Sequence, residues 1–483
     1  MDSPRKITKN VGDKDVKSII HQSSTIADLP ETIVHHIASL LSLKDMARMS
    51  TCLKPWRYLC YTCQYLTVDV DKFCGYKMRS IIRFVRFMER MLRFPRELQL
   101  ERFTLTCRTV VSDRYIINWV RYAVECSVKE LDLNIVLQPF EIPDKVFTLE
   151  SLRILKLHAN YRDLKLPPCL RLTNLHTLTF LYVRFPDDPF AGLILEKCIS
   201  LETLTLSYCF GFSTLNITSL SLKTLRICDA KKSQLCHLNI SCQNLTTLYL
   251  DLDYHAQISF ELSAPALQSF RICFSNAVAC CWSPLKSLQE AVVSVSTCND
   301  WNDAYPFGSQ LLAYLTTAKE LHLCGMLMQV LAWMMKENPS FSLCNINYLK
   351  LHTCMSDDET LLIMYLLRRF PNLQALVISQ ETYHYNNKPL HREVCDEDGD
   401  IRNAEIVYHL KGVTMSLLGS GENNLELAKC LLNNLKVLEE LRVLYAPSDN
   451  EKAEKFGQEI NNIQKASLDV KIIMEPCDDE FYL

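Results

Sequence analysis

The chain has 483 residues, a hydrophobic content of 48% and a formal net charge of -3. This length predicts two or three domains, unless the chain is a repeat array, which grows by stacking similar units. The near-neutral charge excludes a protein that wraps nucleic acid through a large basic excess. No stretch approaches the roughly eighteen apolar residues of a transmembrane helix, so we expect no membrane partner. Because of the near-neutral charge, we also expect no nucleic-acid partner.

The N-terminal residues 1–23 are polar and charged and lack the apolar centre of a signal peptide, so we expect a disordered tail. The 22 cysteines are scattered, and several, such as Cys228 and Cys273, end apolar segments. This pattern predicts buried, reduced thiols rather than a disulfide framework. The expected localisation is therefore the nucleus, the cytoplasm or both.

Helix signals begin directly after the tail. Asp28 can cap a helix with Glu31 as its capping-box partner, and Pro30 then falls in the first turn, where its missing N–H costs nothing. Ser42 with Asp45 marks a second helix start. A third short helix is expected to start at Pro55, because a proline inside the helix would break it. The side chains of Trp56, Leu59 and Cys60 should then face inward.

The first of these helices carries an apolar stripe with helical spacing. Its members are Leu29, Ile33, Val34, Ile37, Leu40 and Leu41. Three helices within about forty residues make a small core, so the apolar surface left over favours a partner protein. A helical cap on the following domain is the alternative.

The frame Leu-x-x-Leu-x-Leu recurs along the chain. The central residues are Leu155, Leu178, Leu204, Leu225, Leu248 and Phe270, separated by 23, 26, 21, 23 and 22 positions. Further frames surround Leu131, Leu288, Leu321, Leu349 and Leu376. A period of roughly 20 to 29 residues is typical of leucine-rich repeats. The pattern predicts an α/β fold with parallel strands on the concave side of a curved solenoid, and helices or irregular turns outside. A plain α/β domain with scattered leucines is the alternative.

Residues that flank the inward positions of each strand should face solvent on the concave side. These outward residues are polar and weakly charged, which suits a protein partner. Among them, Tyr249, Arg226 and Arg271 are of the types that most often dominate protein interfaces. The predicted substrate-binding residues are Lys156, His158, Thr179, Thr205, Arg226, Tyr249, Asp251, Arg271 and Lys350. For any single position, simple solvation of the strand is the alternative.

The N-terminal module resembles the F-box of the plant family that joins an F-box to leucine-rich repeats and an FBD-type C-terminal region. The matching segments are Asp28-Leu29-Pro30-Glu31, Leu43-Lys44-Asp45, Trp56-Arg57 and Leu66-Thr67-Val68-Asp69, together with the apolar stripe. The resemblance implies docking to a Skp-type adaptor, which bridges to a cullin scaffold. The implied adaptor contacts are Leu29, Pro30, Ile33, Val34 and Ile37. Pro55 departs from the family, and its effect on docking is left open.

The predicted organisation follows from these features. It comprises a disordered tail (1–23), an F-box (24–69), a leucine-rich-repeat solenoid (70–385), an acidic loop or linker (386–405) and an FBD-type region that completes the array (406–483). The predicted function is the substrate-recognition subunit of an SCF-type ubiquitin ligase, which presents a protein substrate for ubiquitination. A non-degradative repeat scaffold with a degenerate F-box is the alternative.

Other chemistry is not indicated. Cys60 and Cys63 have zinc-ligand spacing, but no second pair follows at a zinc-finger distance. No nucleophile–base motif or phosphate-binding loop is present, so we expect neither an enzyme nor a cofactor nor a metal site. A stripe of arginines between positions 79 and 93, opposite a predicted apolar side of Ile82, Val85, Met88 and Leu92, is open to two interpretations. It is a solvated helix face or a contact for an acidic partner or membrane surface.

Overall fold

The computed structural model describes most of the chain. The described residues are 29–52, 56–75, 78–93, 99–136, 141–167, 169–186, 190–229, 234–252, 258–274, 278–295, 301–338, 341–353, 357–380, 409–417 and 422–477. The chain divides into two compact units, unit 1 (Met1–His158) and unit 2 (Ala159–Leu483).

In the described part of unit 1, three helices come first and a parallel sheet with the strand order β1-β2-β3-β4 follows. Its helices are α1 (Glu31–Ser39), α2 (Leu43–Cys52), α3 (Leu59–Thr62), α4 (Val70–Cys74), α5 (Met78–Leu92) and α6 (Asp113–Glu125). Its strands are β1 (Tyr65–Asp69), β2 (Arg102–Cys107), β3 (Glu130–Ile135) and β4 (Ile154–Asp163), within which the unit ends. A 3-10 helix spans Asp144–Thr148.

Unit 2 contains a long parallel sheet with the order β5-β6-β8-β10-β12-β14-β15-β16-β17-β18-β19-β20 and a second sheet with the order β13-β11-β9-β7. The long sheet is built from β5 (Thr177–Arg184), β6 (Thr203–Cys209), β8 (Thr224–Asp229), β10 (Thr247–Leu252), β12 (Ser269–Phe274), β14 (Glu290–Val295), β15 (Glu320–Cys324), β16 (Tyr348–Thr353), β17 (Ala375–Gln380), β18 (Gly412–Leu417), β19 (Glu440–Tyr445) and β20 (Lys471–Pro476).

The second sheet is built from β7 (Thr214–Thr218), β9 (His237–Ser241), β11 (Ile258–Ser263) and β13 (Val278–Trp282). The helices in the described part of unit 2 are α7 (Phe190–Lys197), α8 (Trp301–Tyr314), α9 (Gly325–Glu337), α10 (Asp357–Leu367), α11 (Glu422–Asn434) and α12 (Asn450–Asn461), and a 3-10 helix spans Pro447–Asp449.

Each strand buries alternate residues, as a half-solvated sheet requires. In β10, Leu248, Leu250 and Leu252 are at most 2% exposed, and the residues between them are half-buried. Complete burial of one such leucine contributes about 1.5–3 kcal/mol. The predicted central residue of every strong frame, from Leu155 to Phe270, lies in the core. The predicted α/β fold class, with three N-terminal helices and a repeat array of parallel strands, is therefore confirmed.

The prediction of helices or irregular turns on the outer side of the strands is wrong for one part of the array. Between β6 and β14 the long sheet is backed by the second sheet, where helices or irregular turns were expected. Repeat length explains the difference. Successive inward residues from Leu204 to Ala291 are 21 to 23 positions apart, which leaves room for a five-residue strand and two turns. Where the spacing is 26 or more, as from Ala291 to Leu321, the connection holds a helix.

Two predicted segments, the tail at 1–23 and the acidic stretch at 386–405, lie outside the described residues, and the domain boundaries stay a prediction. None of the helices in the described ranges combines the length and apolar character needed to cross a bilayer.

Candidate functional site

The first candidate surface is the apolar side of α1 in unit 1. Ile33 is 45% exposed and Leu40 is 77% exposed, whereas Ala38, on the opposite side of the helix, is completely buried. Of the other residues predicted to contact an adaptor, Pro30 is exposed, and three are partly exposed. These three are Leu29, Val34 and Ile37. All five predicted side chains are therefore at least partly accessible within the unit.

The helix start differs from the prediction. Helix α1 begins at Glu31, and Pro30 is its N-cap, with a ψ of 144° that no helical residue adopts. No side chain caps this end, and Asp28 lies outside the described residues. The N–H groups of Ile33 and Val34 donate to the Pro30 carbonyl at 2.9 and 3.1 Å, so the proline's own C=O closes the first turn.

Helix α2 follows α1 directly in the sequence and packs against α3 and β1. The Ser42 hydroxyl donates to Asp45 Oδ2 at 2.6 Å, and the Asp45 N–H donates back to Ser42 Oγ at 3.3 Å, as predicted for this helix start. The Ser42 hydrogen bond and Arg48 lower the pKa of the Asp45 carboxyl. Leu43 and Met46 are at most 1% exposed and point into the core. The buried side of the module is thus satisfied internally, and its apolar α1 side is left for another contact.

The second candidate surface is the strand face of unit 2. Parallel pairing places six of the nine predicted substrate-binding residues at one register position on neighbouring strands. The row runs through Thr179, Thr205, Arg226, Tyr249, Arg271, Val292, His322 and Lys350. Adjacent strands lie about 4.8 Å apart, so these side chains form a continuous strip. Asp251 stands two positions further along its strand.

The centre of this strip is an aromatic ring between two arginines. The Arg226 guanidinium carbon lies 4.1 Å from the Tyr249 ring centre, and that of Arg271 lies 5.9 Å from it. Burial, with Cys228 and Asp251 nearby, raises the pKa of the Tyr249 hydroxyl. A flat, partly desolvated ring with cations on neighbouring strands is suited to a protein contact.

Further along the strip the side chains are more buried. Burial, followed by the charge of Lys350, lowers the pKa of His322 and of His352 to about 4. The Nε2 atom of His322 has no hydrogen-bond partner among the described residues, whereas His352 Nδ1 lies 2.9 Å from the Ser379 hydroxyl. The half-buried Val292 between Arg271 and His322 was not predicted, because the frame around Leu288 is weak.

Unit 1 carries the remaining two predicted residues. Lys156 is exposed and pairs in register with Asp132, and His158 pairs with Asn134. Burial raises the pKa of the Asp132 carboxyl, an effect that Lys156 opposes. Burial also lowers the pKa of His158, and the charge of Arg108 adds to this.

Three tyrosines in unit 2 that the sequence did not predict stack at the ends of β4, β5 and β6. The ring centres of Tyr161 and Tyr182 are 5.0 Å apart, and those of Tyr182 and Tyr208 are 4.9 Å apart with nearly parallel planes. All three have positive φ angles, between 52° and 65°, which bulky residues rarely adopt. The available signal was a tyrosine two positions after the last inward residue in two frames, Phe180 and Leu206.

Metal-binding side chains and thiols occur across the part of the chain that the structure describes. Within the described ranges, no three His, Cys, Asp or Glu side chains lie close enough to hold a metal ion together. Cys60 and Cys63 are buried, and the Cys63 thiol donates to the Tyr65 carbonyl at 3.1 Å.

The repeated parallel strands are consistent with a leucine-rich-repeat fold, and comparison with known proteins shows which proteins the chain is similar to. A family model described as "FBD-associated F-box protein At5g56370, LRR repeats" matches residues 116–272. An F-box/LRR-repeat protein of Arabidopsis thaliana is 27% identical over 381 residues, which cover 74% of this chain and 78% of the relative.

Two more relatives from Arabidopsis thaliana extend the match. An F-box/FBD/LRR-repeat protein is 24% identical over 445 residues, covering 87% of this chain and 83% of its own length. An FBD-associated F-box protein is 33% identical over 190 residues, which cover 38% of this chain and 43% of the relative. The chain is thus similar to plant proteins named for an F-box, leucine-rich repeats and an FBD, and the resemblance predicted from its sequence is confirmed.

Proposed function

We propose that this chain is the substrate-recognition subunit of an SCF-type E3 ubiquitin ligase. The apolar side of α1 docks a Skp-type adaptor and, through it, a cullin scaffold. The strand face of the repeats holds a protein substrate for ubiquitination and degradation by the proteasome. The chain contributes proximity and orientation, and the chemistry of transfer belongs to other subunits. It needs no cofactor for this role.

The exposed apolar surface of α1 carries the proposal. Ile33 and Leu40 are 45% and 77% exposed in a segment that resembles an F-box. Apolar side chains grouped on one exposed helix face mark a protein contact, because their burial against a partner is favourable. The relatives' names include the F-box, which supports the same assignment.

Co-expression with a Skp-type adaptor tests the docking surface. We expect a stable complex with the intact chain and its loss with the double variant Leu29→Ala/Pro30→Ala or with Ile33→Asp, which places a charge in the apolar contact. The matched control is Thr32→Ala/His36→Ala, because both residues are exposed on the same helix. Undiminished adaptor binding by the first two variants would refute the docking surface. Failure of the intact chain to bind would favour the alternative, a repeat scaffold with a degenerate F-box.

We also propose a reducing compartment, the nucleus or the cytoplasm. Burial raises the pKa of the Cys198 thiol to about 12 and that of Cys107 to about 11, so these thiols act as small hydrophobic residues. Cell fractionation of the tagged chain tests this proposal, and recovery in the secreted fraction would contradict it.

A further inference from the structure

Helix α5 of unit 1 has one basic side that the adaptor and substrate surfaces do not use. Every basic residue of the helix is an arginine, and these arginines all fall on one side. They are Arg79, Arg83, Arg86 and Arg90, continued by Arg93 in the following turn, and all five are exposed. We call these five residues the arginine stripe. At 100° per residue the four helical members span an arc of about 60° and a length of about 16 Å.

The side chains on the opposite side of α5 are buried in the core. Phe84, Met88 and Met91 are at most 1% exposed, and Phe84 contacts the rings of Phe73 and Trp119 at centroid distances of 4.8 and 5.6 Å. The predicted buried side needs one correction: Ile82 is 49% exposed and lies beside the stripe. The helix is therefore held rigidly with its stripe directed outward.

The stripe is not neutralised within the described part of the chain. No described carboxylate forms an ion pair with any of the five guanidinium groups, and Glu89 is the only acidic residue of α5. Like charges four positions apart, as at Arg79/Arg83 and Arg86/Arg90, weaken a helix. A purely solvated face would interleave acidic residues and avoid this repulsion, so the stripe indicates an anionic partner.

The chemistry of the stripe selects among anionic partners. A membrane-surface helix inserts its apolar side into lipid, whereas the apolar side of α5 is buried in the protein. A nucleic-acid surface needs a broad basic excess, but the chain has 55 acidic against 52 basic residues. Guanidinium forks pair with carboxylates through two parallel hydrogen bonds, which lysine does not provide. We propose that the arginine stripe docks an acidic segment of a partner protein, with several carboxylates along about 16 Å.

A peptide titration of the full chain tests the proposal. Fluorescence anisotropy of a labelled oligoglutamate peptide should show saturable binding that weakens as salt is added, and an oligoglutamine peptide should not bind. The triple variant Arg83→Glu/Arg86→Glu/Arg90→Glu should bind at least about tenfold more weakly. The matched control is Arg114→Glu/Arg121→Glu/Arg153→Glu, which makes the same charge change at exposed residues of unit 1. It should stay within about twofold of the unaltered chain.

Three results would overturn the proposal. They are absence of oligoglutamate binding, an equal loss in the control variant, and stripe-dependent binding that is tighter to an RNA oligomer or to phosphatidylserine vesicles than to the peptide. The charge-conserving variant Arg83→Lys/Arg86→Lys/Arg90→Lys should bind several-fold more weakly than the unaltered chain. Equal binding would overturn the paired-hydrogen-bond geometry. Circular dichroism of each variant confirms that α5 is intact, and adaptor binding should be unchanged throughout.

Discussion

The guanidinium of Arg226 lies 4.1 Å from the ring centre of Tyr249, its register partner on the adjacent parallel strand. The two residues are 23 positions apart in the sequence, and only the pairing of β8 with β10 makes them neighbours. Arg271 lies on the next strand, so the ring has a cation on either side. This arrangement combines the residue types that most often dominate protein interfaces.

We predict that Tyr249→Ala/Arg226→Ala removes substrate capture without loss of stability. Truncation of a central aromatic–arginine pair in an interface costs about 2 kcal/mol or more, or roughly thirtyfold in affinity. Proximity labelling in cells with the proteasome blocked measures the effect. The control is His237→Ala/Glu261→Ala, two exposed residues of the second sheet. Retention of the full labelled set by the first variant would show that the strip does not bind substrate.

A second prediction concerns the stability of the folded chain at low pH. The pKa of His322 and of His352 is about 4 in the folded chain, below the ordinary value of 6.5. The unfolded chain therefore binds more protons between these values, and stability falls as the pH is lowered from about 6.5 to about 4. Burial is the main cause of the lowered pKa of His322; the charges of Lys350 and Arg271 add to it, and Glu290 opposes it.

Thermal unfolding measured against pH checks this. Between pH 6.5 and pH 4 the free energy of unfolding should fall by about 1–3 kcal/mol less in His322→Gln than in the unaltered chain, because glutamine does not titrate. Replacement of the exposed His176 by Gln is the matched control. If the two variants have the same pH profile, the burial of His322 does not govern acid sensitivity.

A third prediction concerns Gly211. Its φ is +103°, and a Cβ there would lie 2.1 Å from the Phe185 carbonyl oxygen. Gly211→Ala should therefore lower stability by about 1–3 kcal/mol through backbone strain, and the backbone overlap adds to this. Gly412→Ala is the matched control, because nothing lies within 4 Å of its added methyl group. Equal unfolding midpoints for the two variants would contradict the prediction.

A fourth prediction tests the repeat core. Leu225 is fully buried at the centre of its frame, and Leu225→Ala should destabilise the chain by about 2–5 kcal/mol because it leaves a cavity. Leu220 is 71% exposed, so Leu220→Ala should change stability by less than about 0.5 kcal/mol. Urea denaturation of both variants gives the comparison. A small effect at Leu225 would mean that neighbouring repeats close the cavity.

Local sequence patterns were enough to predict the repeat array, its frames and the helical module that precedes it in the chain. Both are patterns within the sequence itself. The central residues of the frames, from Leu155 to Phe270, recur every 21 to 26 positions, and the apolar residues of α1 have helical spacing. Side-chain alternation then follows from strand geometry alone, so the outward residues were predictable as well.

Which outward residues meet could be read only from the pairing of the strands in the folded chain. Strand pairing across more than twenty residues brought Arg226 to Tyr249 and aligned the three tyrosines from Tyr161 to Tyr208. It also buried His322 beside Lys350 and so lowered its pKa. Such contacts depend on register and on desolvation by neighbouring strands, and neither is encoded in any single repeat.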